Sequence, residues 1–257
     1  MSAFSLGAGP DVCLLLHGLT GGPSEVRPVG EALAKAGIRA VGPLLPGHGT
    51  SPEDLITVTR GDLREAALRA LAALRGARRV FVCGLSAGAL LALELAAHSR
   101  LRQGVPEVSR LALLAPAVEM RGLAWVFTNL VGRLPELPLL AAKRRDLPVL
   151  PVEPGQASPG GPSLDDGYSQ VPLLWGRELR LLTREALQVA RRVHAPTLIL
   201  NGALDKSVAV SGSRRLARAL GSQRVELRVF PRTGHLMPLD VESREVCRAV
   251  VSFFQES

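Results

Sequence analysis

Val80-Phe81-Val82-Cys83-Gly84-Leu85-Ser86-Ala87-Gly88-Ala89-Leu90-Leu91-Ala92-Leu93 is the stretch that decides the fold. An apolar run, Val80 to Cys83, reads as a buried strand, and the Ala/Leu-rich run Ala89 to Ala97 reads as a helix. Between them stands G-x-S-x-G, Gly84 to Gly88. A strand–turn–helix is the setting in which this short pattern describes a nucleophile elbow. The turn must be tight, so small residues are needed two before and two after the serine for strand and helix to approach. Such a turn lifts the Ser86 hydroxyl clear of the sheet and aims a helix N-terminus at whatever it attacks.

Outward from the elbow, short apolar runs alternate with helical patterns. Val12 to Leu16, Ile38 to Pro43, Arg110 to Ala115, Pro196 to Asn201 and Val225 to Phe230 read as further strands. Helices are expected from about Ser24 to before Gly37, over Gly61 to Arg75, and from about Val241 to Phe254. Strands that alternate with helices predict an α/β fold, a mostly parallel sheet flanked by helices on both faces. The alternation breaks over residues 119–194, where seven prolines stand between Pro135 and Pro162 and Gly155 to Ser163 reads as a loop. Leu173 to Arg191 is helical again. This organisation predicts a core of residues 1–118 and 195–257, with residues 119–194 inserted as a helical lid over the C-terminal edge of the sheet.

A serine hydroxyl needs a neighbouring base, and the base an orienting acid. On this topology the order should be Ser, Asp or Glu, His. Asp205 follows the strand ending at Asn201, and His235 follows the strand ending at Phe230. Both fall beyond carboxyl ends of strands, where open α/β sheets place their ligands. Asp240 is a rival acid, and its position reads as the N-terminal cap of the last helix. The glycines of His17-Gly18-Leu19-Thr20-Gly21-Gly22 let the backbone approach a ligand. Leu19 and Ala87 are therefore the expected N–H donors of an oxyanion hole. A phosphate cradle is the alternative for this loop, which lacks the spacing and lysine of a P-loop.

Bulk properties bound the function. The chain has 257 residues, 47% hydrophobic and 21% charged, which suits one large α/β domain or two small ones with a full core. No apolar run approaches the roughly 20 residues of a membrane span, so no stable membrane insertion is expected. The net charge of +8 lies mostly on arginines spread over helix faces such as Arg60, Arg64, Arg69 and Arg75. Without a basic tail or an aromatic-interleaved patch, no nucleic-acid partner is expected. Cys13, Cys83 and Cys247 are an odd number without metal spacing, so buried free thiols in the cytoplasm are expected. His17 and His48 lack ligand partners at metal spacing and read as braces between two loops; no metal and no organic cofactor is expected.

Together, His17-Gly18-Leu19-Thr20-Gly21, Pro46-Gly47-His48-Gly49, Gly84-Leu85-Ser86-Ala87-Gly88, Gly202-Ala203-Leu204-Asp205-Lys206-Ser207-Val208 and Gly234-His235 with Leu239-Asp240 resemble the α/β-hydrolase superfamily. Within it they are similar to small bacterial carboxylesterases and monoacylglycerol lipases. The resemblance covers the core and implies a triad of Ser86, Asp205 and His235 with oxyanion donors Leu19 and Ala87. It implies hydrolysis of a small-molecule carboxylic ester through an acyl-enzyme. A thioesterase or carbon–carbon bond hydrolase on the same triad is the alternative, followed by a non-catalytic binder of this fold. In the lid, Leu123, Trp125, Val126, Phe127 and Leu130 form an apolar stripe. Packing against the core is the plain reading; Trp125, Phe127 and Leu130 are the candidates to line an acyl pocket.

Overall fold

The computed structural model describes residues 2–122, 126, 129, 149–151, 168, 170–172 and 174–256. The lid candidates Trp125, Phe127 and Leu130, and the expected loop from Gly155 to Ser163, lie outside these residues.

In chain order, β1 (Phe4–Leu6) and β2 (Asp11–Leu16) lead to α1 (Arg27–Lys35), and β3 (Arg39–Gly42) to α2 (Arg60–Ala72). Then come β4 (Arg79–Leu85), α3 (Ala87–Ser99) and β5 (Val108–Leu114). The short strands β6 (Val149–Pro151) and β7 (Gln170–Pro172) pair with each other antiparallel, apart from the main sheet. The chain continues through α4 (Leu174–Val189), β8 (Thr197–Gly202), α5 (Val210–Ala219), β9 (Val225–Phe230) and α6 (Ser243–Gln255).

Seven strands form one sheet in the order β1-β3-β2-β4-β5-β8-β9. All its pairs are parallel except β1 on β3, so the expected mostly parallel sheet is what forms. The central strands are buried along their length because helices cover both faces, which is why they read as unbroken apolar runs. On one face α1 packs against α6; on the other α2, α3 and α4 pack together. All but His98 of the thirteen residues of α3 are buried, since the helix is enclosed by sheet on one side and helices on the other.

Two helix starts fall two residues or more later than expected, each for its own reason. The first helix does not run unbroken from Ser24; a 3₁₀ turn, Pro23–Glu25, precedes α1 at Arg27. Pro28 has no N–H and fits only in a first helical turn, so the α-helix has to start beside it. The last helix starts at Ser243 rather than Val241, and Glu242, not Asp240, is its N-cap. The Asp240 carboxylate is engaged elsewhere, as described below. Strand β1 was not expected, since three residues, Phe4-Ser5-Leu6, are too short to show a period.

Candidate active site

Ser86 joins β4 to α3 with φ 55° and ψ −115°, a left-handed backbone that a serine adopts only under constraint. The constraint is visible on both sides. Its N–H donates to the Leu114 carbonyl at 2.9 Å, and its own carbonyl accepts from Ala89 and Ala117. A Cβ on Gly84 would run into the Gly88 carbonyl, and one on Gly88 into the carbonyls of Leu16 and His17. The two glycines are therefore what lets β4, α3 and the end of β2 converge. Ser86 itself is only half-buried, and among the described residues its hydroxyl has no hydrogen-bond partner.

Asp205 and His235 stand beyond the carboxyl ends of β8 and β9, at the same sheet edge as Ser86. His235 Nδ1–H donates to Asp205 Oδ2 at 2.8 Å. Asp205 Oδ1 accepts from the N–H groups of Ser207 (2.7 Å) and Val208 (2.9 Å), so three donors fix a carboxylate that is 1% exposed. Burial alone would raise the Asp205 pKa; His235 and the two N–H groups outweigh it and hold it below its usual value. For His235, burial works against the imidazolium, yet Asp205 prevails and the pKa lies above 6.5. With Nδ1 bound to Asp205, the neutral ring offers Nε2 as a base. No hydrogen bond joins it to Ser86; such contacts are often loose without substrate and tighten once it binds.

The histidine loop is clamped by two more carboxylates. Asp240 Oδ2 accepts from Gly234 N–H at 2.6 Å, and Oδ1 from Val241 N–H at 2.7 Å. Glu242 Oε2 accepts from Arg232 N–H and from the Thr233 hydroxyl. Asp240 is thus neither the acid on His235 nor the cap of α6. The sequence placed it next to a helix start, and only the folded loop reveals that Gly234 competes for it.

The loop after β2 forms the opposite wall. His17 Nε2 accepts from Leu45 N–H at 3.1 Å, so its proton sits on Nδ1 and is donated to the Gly18 carbonyl at 2.9 Å. His48 Nδ1–H donates to the Pro46 carbonyl at 2.9 Å, and the two imidazoles meet edge to face at 4.8 Å. Burial lowers both pKa values, that of His17 to about 3, so both remain neutral braces between the loops. Thr20 is held at φ 67° by Tyr168, whose N–H donates to the Thr20 carbonyl at 2.7 Å. The Tyr168 hydroxyl accepts from Thr50 N–H and donates to the Gly47 carbonyl, while its ring stacks on His48. Between these anchors lies Leu19, half-buried; no hydrogen bond engages the N–H of Leu19 or of Ala87 among the described residues. Gly18 N–H is not available to a ligand, because Glu25 Oε2 accepts it at 2.9 Å.

Sequence reasoning missed Glu25 and Tyr168. Tyr168 is the single tyrosine of the chain, just beyond the run Gly155 to Ser163 that reads as a loop. For Glu25 a signal existed: glycines at 21 and 22 precede it, and a Cβ on Gly21 would occupy the space of its carboxyl. Among the described residues no group of three His, Cys, Asp or Glu could hold a metal ion.

The family model described as serine aminopeptidase, S33 (Hydrolase_4) matches residues 10–242. A thermostable monoacylglycerol lipase of Bacillus sp. (strain H-257) is 28% identical over 247 residues, 96% of this chain and 91% of the relative. A carboxylesterase of Bacillus subtilis (strain 168) is 21% identical over 98% of this chain and 96% of its own. Among solved structures, one from a study of the metagenome-derived lipolytic enzymes LipS and LipT superposes with a TM-score of 0.81 at 24% identity. It covers 99% of this chain and 98% of its own. The sheet order, the elbow and these likenesses agree on the α/β-hydrolase fold.

Proposed function

We propose that this chain, which belongs to the serine aminopeptidase S33 (Hydrolase_4) family, is a carboxylic ester hydrolase acting through Ser86, Asp205 and His235. The observation that carries the reading is the left-handed Ser86 turn at the sheet edge where His235 is paired to Asp205. The two Bacillus relatives, named for monoacylglycerol lipase and carboxylesterase activity, support an ester as substrate.

The chemistry follows from the positions. His235 Nε2 takes the Ser86 proton as the hydroxyl attacks the acyl carbonyl, and Asp205 stabilises the imidazolium that forms. The carbonyl oxygen, now an oxyanion, is held by the N–H groups of Ala87 and Leu19. Ala87 is the first residue of α3, so the helix dipole adds to its N–H. His235 then protonates the departing alcohol, and water activated by the same imidazole releases the acid. A lid role for residues 119–194, with Trp125, Phe127 and Leu130 lining the acyl pocket, is part of this proposal; among the described residues Tyr168 is tied to both loops beside the site. The three buried thiols suit a reducing compartment, and we assign the chain to the cytoplasm. Among the described residues no helix is long and apolar enough to cross a membrane.

The test is hydrolysis of p-nitrophenyl esters of increasing acyl length by the wild type and by Ser86→Ala. Turnover is expected to climb with acyl length to a definite limit and to fall at least about 10⁴-fold in the mutant. Undiminished hydrolysis by a folded Ser86→Ala protein would remove Ser86 from the reaction. A wild type silent on oxygen esters but active on thioesters would move the substrate class.

A further inference from the structure

Glu25 is a buried carboxyl that the mechanism above leaves unused. It is 7% exposed, on the 3₁₀ turn that follows the glycine loop. Among the described residues no cation pairs with it; its recorded hydrogen bond is the one it accepts from Gly18 N–H. Its position relative to the reaction centre is close. A Cβ placed on Gly18 would lie 3.2 Å from Glu25 Oε2 and 3.5 Å from the Cβ of Ser86, so Gly18 lies against both the carboxyl and the nucleophile. The carboxyl also interacts electrostatically with His235.

A buried carboxyl with no paired cation among the described residues is costly to charge. Gly21 leaves the space that it occupies, since any side chain there would collide with it. A merely structural acceptor for Gly18 N–H would be met more cheaply by a neutral amide or hydroxyl.

We propose that Glu25 is a positioning residue of the catalytic centre, which braces the oxyanion loop through Gly18 N–H and adds to Asp205 the negative charge that favours protonated His235. This inference rests on the triad reading above. The brace fixes the peptide before Leu19, and the charge acts on the base during the step in which it carries the serine proton. Burial lifts the Glu25 pKa to about 7, with Gly18 N–H and His235 pulling the other way, so its charge is present mainly in neutral and alkaline solution.

The deciding variant is Glu25→Gln, which keeps the shape and an oxygen acceptor for Gly18 but cannot ionise. kcat and KM for one p-nitrophenyl ester are measured from pH 5 to 9, with Ser86→Ala in parallel. Loss of the Glu25 charge removes an influence that raises the His235 pKa. The acid limb of kcat/KM is therefore expected at lower pH than in the wild type, with kcat at pH 8 reduced several-fold and KM within about twofold. An acid limb that coincides with the wild type overturns the proposal, whatever happens to kcat. Hydrolysis that survives Ser86→Ala would instead sink the triad reading, and the two failures are read in separate arms.

Discussion

At Gly88 a single methyl group decides whether the elbow can close. A Cβ there meets the backbone carbonyls of Leu16 and His17, which cannot move without parting β2 from β4. Gly88→Ala should lower stability by about 1–3 kcal/mol or more, read as a fall of several degrees in the melting midpoint, with activity lost before the fold is. The base carries a sign of its own. His235 accepts the serine proton only when neutral, and its pKa lies above 6.5 because Asp205 outweighs burial. kcat/KM should therefore rise with pH through an acid limb above 6.5. Asp205→Asn removes the charge that raises this pKa, so the limb should move down, and kcat should fall on the order of 10⁴-fold at pH 8. A mutant limb at or above the wild-type position would contradict the Asp205–His235 coupling.

Among the elements, α2, α3 and α4 are joined by charges rather than by apolar contact alone. Arg64 on α2 binds Glu94 of α3 at 2.6 Å and Glu185 of α4 at 2.6 Å, and Arg60 binds Glu178 and Glu185. Glu94 is 3% exposed with apolar neighbours along the helix, and Arg64 supplies the cation that pairs with it. Arg64→Met should destabilise by ~2–3 kcal/mol, less than a wholly buried pair because the Arg64 side chain is about a third exposed. Chemical denaturation would measure this, and an unchanged midpoint would show that Glu94 is satisfied otherwise. The double mutant with Glu94→Leu should recover most of the loss, since it removes the stranded carboxylate. Helices α1, α2, α3, α4 and α6 were legible in the sequence and β9 to the residue, but α5 was not expected, and the helix ends were not legible. Pro28 moved the start of α1, and the demand of Gly234 for Asp240 moved the start of α6. The first signal was local and readable; the second depended on a loop folding back.

For the molecule as a whole, the fold places all three cysteines away from solvent, Cys13 on β2, Cys83 on β4 and Cys247 on α6. Burial raises each thiol pKa, that of Cys247 to about 11, and leaves little thiolate to react. Native protein should show no thiol titratable by Ellman's reagent on the timescale of minutes, and three after denaturation. Activity should survive alkylating reagents; prompt loss would mean that the strands open far more often than such a core allows. The sheet brings the three residues of the proposed triad to one edge. Ser86, Asp205 and His235 are separated by long stretches of chain, yet β4, β5, β8 and β9 are neighbours, so the loops that carry these residues share that edge.

The sequence by itself determined the α/β alternation, the elbow, and the strand-end contexts of Asp205 and His235, because each is written in residues within a few positions of one another. Strand periodicity, glycine spacing and turn chemistry are local physics, and local physics can be read from a string. What only the tertiary structure decided is which carboxyl serves which loop. Asp205 reaches His235 across 30 positions, Asp240 and Glu242 hold the histidine loop, Tyr168 ties Thr20 to Thr50, and Glu25 lies against the peptide beside Ser86. A buried carboxyl or hydroxyl takes whichever donor the packing brings within 3 Å of it. That donor is set by the crossing of strands and loops, and no pattern of spacing along the chain records it.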